Sequence, residues 1–244
     1  ATHYTENFMD KLFIVIPAYN EETNIRRTID EWYPIVEKYN GDGQSRLVII
    51  NDGSKDNTYQ ILCDCAKTRP LLTPLTKPNG GHGPTLLYGY DYAIKNGADF
   101  IFQTDSDGQT NPEEFHQFWA ARNSYDAVIG QRSVRGDGKS RKFVENIVCL
   151  LLRMIFGIRV SDANAPFRLM KANQTAEFIK KMPADFNLPN IMLTTYFVYY
   201  KKHVKFIEIP FKPRQGGTNS INNKKIVKIG WKALGDFRQL KKEL

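Results

Sequence analysis

The sequence predicts an α/β fold, an open and mostly parallel sheet with helices on both faces. Three observations carry this. The runs Leu12-Phe13-Ile14-Val15-Ile16 and Leu47-Val48-Ile49-Ile50 leave no side for water, as strands covered by helices on both faces do. Each ends in a polar tip, and so does the run Phe100-Ile101-Phe102-Gln103-Thr104, which places ligand-binding groups at strand carboxyl ends. Strand and helix patterns also alternate along the first half, which favours right-handed crossovers in one sheet.

Taken in order, the first strand covers residues 12–16, ends at Pro17 and turns into an acidic first helical turn at Glu21 and Glu22, so a helix is predicted over 22–39. The second strand, 47–50, stops at Asn51-Asp52-Gly53, which is good turn chemistry. Asp56-Asn57-Thr58 then opens a helix over 56–68, because short polar side chains cap free amide groups. A strand at 71–76 leads through Lys77-Pro78-Asn79-Gly80-Gly81 to a helix over 84–95. The strand at 100–103 runs into a turn marked by Gly108, and Asn111-Pro112 starts a helix over 112–123. A strand at 127–129 follows. Neither an internal repeat nor a low-complexity linker is present, so residues 1–244 read as one domain divided at about 130 and 223, with a basic amphipathic helix over 224–244.

Composition fits a single domain, because 244 residues with 41% apolar content can bury a large core. Cys63, Cys65 and Cys149 are odd in number, and the Cys63/Cys65 spacing suits neither a zinc knuckle nor a redox pair. They read as small buried thiols in a reducing compartment. Glu6 and Asp10, with no apolar stretch before Leu12, do not read as a secretory signal. The net charge is +8, and from Lys201 onward twelve Lys or Arg face only Glu208, Asp236 and Glu243, so the basic character is local. A basic balance attracts nucleic acid. Basic residues here do not interleave with aromatic ones, however, and carboxylates at the strand tips would repel a polyanion, so no nucleic-acid partner is expected.

The chemistry concentrates at Asp105-Ser106-Asp107-Gly108-Gln109. Along a continuing strand the two carboxylates would point to opposite faces, but Gly108 and Pro112 mark a turn in which both can converge on one hard cation. Oxygen ligands of this kind suit Mg2+ or Mn2+, which take one or two protein carboxylates and complete their shell with water and substrate phosphates. Asp-x-Asp is common in solvated loops, and its weight here comes from the neighbouring strand tips. Gly80-Gly81-His82-Gly83 has the glycines of a phosphate loop but neither the spacing nor the position of a dinucleotide fingerprint, and His82 reads as a loop residue.

These segments, in this order, resemble the nucleotide-sugar-binding half of the family 2 glycosyltransferases, whose fold is called GT-A. The resemblance covers roughly residues 11–217. It implies that residues 1–130 bind a nucleotide-sugar, either a UDP- or a GDP-sugar, with Pro17 and Tyr19 walling the base, Asp52 accepting from its edge and Glu21 holding ribose hydroxyls. Asp105, Ser106, Asp107 and Gln109 then match positions that hold the metal and diphosphate. Gly130-Gln131-Arg132, the segment Asp162-Ala-Asn-Ala-Pro-Phe-Arg168 and Phe211-Lys212-Pro213-Arg214 narrow the likeness to the dolichyl-phosphate mannose synthase and polyprenyl-phosphate glycosyltransferase branch. In that branch the position of Arg132 approaches phosphates and that of Arg214 lies over the donor. The chain departs from the branch at Gly217-Thr218-Asn219-Ser220, where a lysine is usual, so that lysine contact to the donor is either missing or supplied by Lys224 or Lys225.

The mechanism implied is inverting transfer of a hexose to a polyprenyl phosphate, undecaprenyl or dolichyl, with residues 131–223 as the acceptor half. A phosphate acceptor is already ionised and needs arginines for positioning more than a base. Arg132, Arg141 and Arg168 are the candidates, since a planar fork recognises phosphate oxygens bidentately. A sugar-hydroxyl acceptor in polysaccharide synthesis is the alternative, and it would need Asp162 as base.

Such an acceptor predicts a membrane-facing surface. Residues 143–158 hold Ile147-Val148-Cys149-Leu150-Leu151-Leu152 with basic flanks, short of the roughly 20 apolar residues a spanning helix needs. From Lys224, the stripe Ile226, Ile229, Ala233, Phe237 and Leu240 is ringed by lysines and suits either an anionic surface or core packing. The expectation is a peripheral protein on the cytoplasmic face of the membrane.

Overall fold

The computed structural model describes the backbone of residues 10–41, 43–132, 139–213 and 223–244, and the side chains of all these except 139–143 and 223–230. Strands β1 (Leu12–Ala18), β2 (Arg46–Asp52), β3 (Leu72–Lys77), β4 (Phe100–Thr104), β5 (Ala127–Arg132), β6 (Phe167–Lys171) and β7 (Val204–Ile209) form one sheet in the order β3-β2-β1-β4-β6-β5-β7. All neighbouring strands run parallel except β6, which is antiparallel to both β4 and β5. The six parallel strands therefore end on one edge of the sheet, and β6 begins there.

Helices α1 (Ile25–Lys38), α2 (Thr58–Ala66), α3 (His82–Lys95), α4 (Phe115–Ala121), α5 (Lys139–Phe156), α6 (Ala172–Ile179), α7 (Pro189–Tyr199) and α8 (Asn223–Lys242) complete the chain. A single 3-10 turn, Pro112–Glu114, precedes α4, and Asn111 caps it by accepting from the Glu113 amide at 3.2 Å. Alternation along β1 sorts the two cores: Leu12, Ile14 and Ile16 pack with α1, α2 and α4, whereas Phe13 and Val15 pack with α3, α5, α7 and α8. Trp32 of α1 anchors the first core, with its ring 5.3 Å from Phe102 and 6.0 Å from Phe167. Truncating so large a buried ring costs about 3–5 kcal/mol.

On α8, Ala233, Phe237 and Leu240 are buried, and Phe237 meets Phe156 of α5 at 6.5 Å, so this part of the basic stripe packs on the core rather than facing outward. Ile226 and Ile229 have side chains outside the described residues. The exposed large apolar residues include Ile147, Leu150 and Met154 of α5, which recur at helical spacing, and Trp231 of α8. Among the described residues, no helix is long and apolar enough to cross a membrane. All three cysteines are free.

Candidate functional site

The edge where the parallel strands end collects the polar tips. Asp105 follows β4 at its last residue, and the turn 105–109 closes through Gly108 at φ +72° and a 2.9 Å hydroxyl contact between Thr104 and Thr110. The Gln109 amide donates to Asp107 Oδ1 at 3.2 Å. Gln109 is also tied to the segment after β7, donating from Nε2 to the Lys212 carbonyl at 3.2 Å and accepting the Lys212 amide at 2.7 Å. Ser106 is buried, and its carbonyl accepts from Thr28 Oγ1 at 3.2 Å, which anchors the turn on α1.

Asp105 Oδ1 accepts from Gln103 Nε2 at 3.0 Å and lies 3.1 Å from His82 Nε2. Burial alone would raise the Asp105 pKa, but the His82 charge and hydrogen bond, the Gln103 amide and the Arg132 charge outweigh it and hold the carboxyl below its ordinary value. His82 shows the converse. Desolvation works against its charged form, yet the carboxylates of Asp105, Asp107 and Asp52 raise its pKa above the ordinary value. Sequence reasoning passed over His82 as a loop residue. It stands at the first residue of α3 within electrostatic reach of three strand-tip carboxylates, and no signal in its Gly-Gly-His-Gly setting announces that.

Asp52 is only 4% exposed, and its carboxylate accepts from Lys77 Nζ and from the Gly80 and Gly81 amides, both at 2.9 Å. Burial raises its pKa, and the Lys77 ammonium with these amides lowers it further than burial raises it. An Asp52 side chain open to a base edge was expected. Instead its oxygens hold the glycine loop before α3, and Asn79 Nδ2 donates to its carbonyl at 2.9 Å. Gly53 makes the approach feasible, since a Cβ there would strike the Asn79 backbone and its φ is +62°. Glu21 is likewise buried and accepts from Asn24 Nδ2 at 3.0 Å rather than facing outward. Pro17 lies inside β1 opposite Ile50, and Tyr19, 44% exposed, stands at the β1 tip as a ring open to a ligand.

On the other side of the edge, Arg132 ends β5 with Nε 3.7 Å from Asp162 Oδ2 and its guanidinium 5.1 Å from the Phe211 ring centre. Arg168, expected beside a phosphate, is corrected: it has 0% exposure and donates to the carbonyls of Ala163, Ala165 and Asn190 and to Thr194 Oγ1. Every N–H of its guanidinium is thereby engaged inside the protein, where it clamps the segment that carries Asp162. Arg214, Gly217 and Ser220 lie outside the described residues, as do the side chains of Arg141, Lys224 and Lys225.

The donors at 105–109 are hard oxygens, with one carboxylate held ionised. Among the described residues no group of three or more His, Cys, Asp or Glu side chains forms a ready metal cage. The Asp105 and Asp107 carboxylates on this one turn nonetheless fit Mg2+ or Mn2+, which seldom use an all-protein cage and fill their shell with water and substrate phosphate oxygens.

The family model described as glycosyl transferase family 2 matches residues 13–173. An uncharacterized glycosyltransferase of Synechocystis is 30% identical over 71% of this chain and 54% of its own length, so the chain spans about half of that relative. Undecaprenyl-phosphate mannosyltransferase of Micrococcus luteus is 27% identical over 67% of this chain and 67% of its own. Glucosyl-3-phosphoglycerate synthase from Mycobacterium tuberculosis, crystallised with Mn2+, UDP-glucose and phosphoglyceric acid, superposes with a TM-score of 0.67 at 15% identity, covering 96% of this chain and 80% of that one.

Proposed function

The chain belongs to glycosyl transferase family 2, and on that premise we propose that it transfers a hexose from a UDP- or GDP-sugar to a polyprenyl phosphate, with inversion at the sugar C1. Its likeness to an undecaprenyl-phosphate mannosyltransferase supports this acceptor class. The structural observation that carries the reading is the position of Arg132, whose charge acts on Asp105 on one side and which pairs with Asp162 at 3.7 Å on the other. A guanidinium between the donor-side carboxylates and the acceptor-side segment suits a reaction in which a lipid phosphate meets a sugar diphosphate.

In this reading Tyr19 and Pro17 wall the nucleotide base, Glu21 and Asp52 brace the loops around it, and Ser106 and Arg214 attend the diphosphate. Asp105, Asp107 and Gln109 hold Mg2+ or Mn2+, which when bound offsets charge on the departing diphosphate. Arg132 and Arg141 orient the lipid phosphate so that one of its oxygens faces C1 opposite the leaving group. That oxygen forms the new C1–O bond while the old C1–O bond breaks and its electron pair leaves with the nucleoside diphosphate. The attacking oxygen is already anionic, so no side chain has to remove a proton. Asp162 is 2% exposed and faces Arg132, so its carboxylate is closed to a sugar hydroxyl, which favours the phosphate acceptor.

The exposed Ile147, Leu150 and Met154 stripe of α5, with the exposed Arg153 beside it, supports a peripheral seat on the cytoplasmic face of an anionic membrane. Residues 1–130 then serve the donor and 131–223 the acceptor within one transferase unit. Mass spectrometry of the lipid products formed from a short-chain polyprenyl phosphate and a panel of UDP- and GDP-sugars tests the reading. A polyprenyl-phosphate hexose with one donor is expected, and no lipid product with any donor would refute it.

A further inference from the structure

A buried chain of side-chain amides leads to Asp105 from the interior. Tyr90 Oη donates to Asn190 Oδ1 at 2.6 Å, Asn190 Nδ2 donates to Gln103 Oε1 at 2.8 Å, and Gln103 Nε2 donates to Asp105 Oδ1 at 3.0 Å. Tyr90, Asn190 and Gln103 are 0%, 1% and 0% exposed. The polarity of this chain follows from its end. An ionised carboxylate only accepts, so Gln103 must turn its NH2 toward Asp105 and its oxygen toward Asn190. Asn190 must in turn offer its own NH2 to Gln103 and its oxygen to the Tyr90 hydroxyl. Every donor points toward the carboxylate, and bonds aligned in this way polarise one another in a low-dielectric interior.

The main chain of Asn190 faces the other half of the site. Its carbonyl accepts from Arg168 NH1 at 2.9 Å, and the same guanidinium donates to Ala163 O at 3.1 Å and to Ala165 O at 3.0 Å, just after Asp162 in the sequence. Thr194, one turn along α7, adds a 2.8 Å bond to Ala163 O. One residue at the start of α7 thus connects the carboxylate after β4 with the loop that carries Asp162.

We propose that Asn190 is a positioning residue that, through Gln103, fixes the orientation of Asp105 toward a metal-bound diphosphate and keeps it in register with the Asp162 segment. This rests on the reading of Asp105 as a donor-side carboxylate. Neither Asn190 nor Gln103 touches the substrate. Each acts by removing the rotamer freedom of the group that does, as partners one step beyond a ligand commonly do.

The test compares the parent with Asn190→Asp, whose carboxylate still accepts from Tyr90 but cannot donate to Gln103. Free Mn2+ is measured by electron paramagnetic resonance in the presence of UDP or GDP, and thermal unfolding is measured without metal. Loss of such a partner commonly weakens metal binding about 10- to 100-fold. That loss is expected at a temperature where both proteins are folded, with a lowered unfolding midpoint because a buried carboxylate replaces an amide. Gln103→Met, of similar length and without a donor, gives the same test if Asn190→Asp does not fold. A separate metal-free readout follows the side-chain amide resonances of Gln103 and Asn190, both of which should shift in Asp105→Ala. Parent-like Mn2+ affinity in both variants, or an Asn190 resonance unmoved by Asp105→Ala, overturns the proposal while the donor-site reading stands. Failure of the parent to bind Mn2+ with either nucleotide overturns that reading and the proposal with it.

Discussion

Arg132 Nε and Asp162 Oδ2 face each other at 3.7 Å, within ion-pair range but beyond a hydrogen bond, and both are buried atoms with no hydrogen-bond partner among the described residues. Leaving buried polar atoms unpaired costs roughly 1–3 kcal/mol each, so the arrangement persists against a penalty. It has a use on the arginine side, where an incoming anion would accept from the Arg132 Nε–H. The Phe211 ring carries the guanidinium at 5.1 Å and keeps its plane available for a phosphate.

Arg132→Lys keeps the charge but loses the fork. It is expected to lower kcat/KM for polyprenyl phosphate about 100-fold, near the 2–5 kcal/mol typical of breaking a buried charged contact. Nucleotide-sugar affinity should change far less. Steady-state kinetics with the acceptor varied would show this, and parent-like acceptor kinetics would remove Arg132 from the acceptor side.

Asp52 and Lys77 form a pair whose side chains are 5% and 15% exposed, under the glycine loop before α3. Asp52→Asn leaves the ammonium without its counter-charge and is expected to cost about 3 kcal/mol of stability near neutral pH. The sign of the pH dependence follows from the depressed folded pKa. The Asp52 contribution is complete above the unfolded value of 3.8 and is lost as pH falls through the lower folded value. Urea unfolding should show the gap between parent and variant narrowing as the pH drops below about 3.8. A gap that widened there would contradict the pairing.

Mn2+ with the cognate nucleoside diphosphate should raise the unfolding temperature, because both bind only the folded chain. Asp107→Ala is expected to abolish that rise while leaving the ligand-free midpoint near the parent's. Calorimetry giving an equal rise in the variant would remove the turn after β4 from the donor site.

Leu150 and Met154 are 55% and 74% exposed, so replacing both with Ser should disturb the core little. Burying such side chains contributes roughly 1.5–3 kcal/mol each when complete, and partial insertion of the pair makes a tenfold or greater loss of binding to anionic vesicles the expected result. Vesicle flotation checks this, with Mn2+-nucleotide binding as the control. Flotation equal to the parent's would place membrane contact elsewhere on the chain.

Much of the architecture was legible because β1, β2 and β4 are buried on both faces and end in turn residues. The second half was not. β6 carries the charged Arg168 as its second residue, and only the fold reveals that five backbone or hydroxyl acceptances await it. Helix α7 is buried all round, so Pro189–Tyr199 lacks the polar face that marks a helix in sequence. β7 is an edge strand without clean alternation, since its exposed Lys205 and Glu208 fall on opposite faces, and it lies amid a basic stretch that masks it. The carboxylate turn at 105–109 was readable from Asp-x-Asp and Gly108, whereas the His82 contact depends on α3 beginning beside the β4 tip. The stripe on α8 was open to either use in sequence, because apolar residues at helical spacing serve a core as well as a surface, and Ala233, Phe237 and Leu240 serve the core.

The most direct test of the central claim is the relative rate of hexose transfer from one active nucleotide-sugar to two acceptors at equal concentration, a short-chain polyprenyl phosphate and a soluble oligosaccharide. The account predicts a polyprenyl-phosphate monosaccharide as the dominant product, with transfer lost when the lipid phosphate is replaced by the free polyprenol, since the anionic oxygen is both the attacking atom and the group that Arg132 recognises. Transfer to the oligosaccharide alone, with the lipid phosphate untouched, would contradict it.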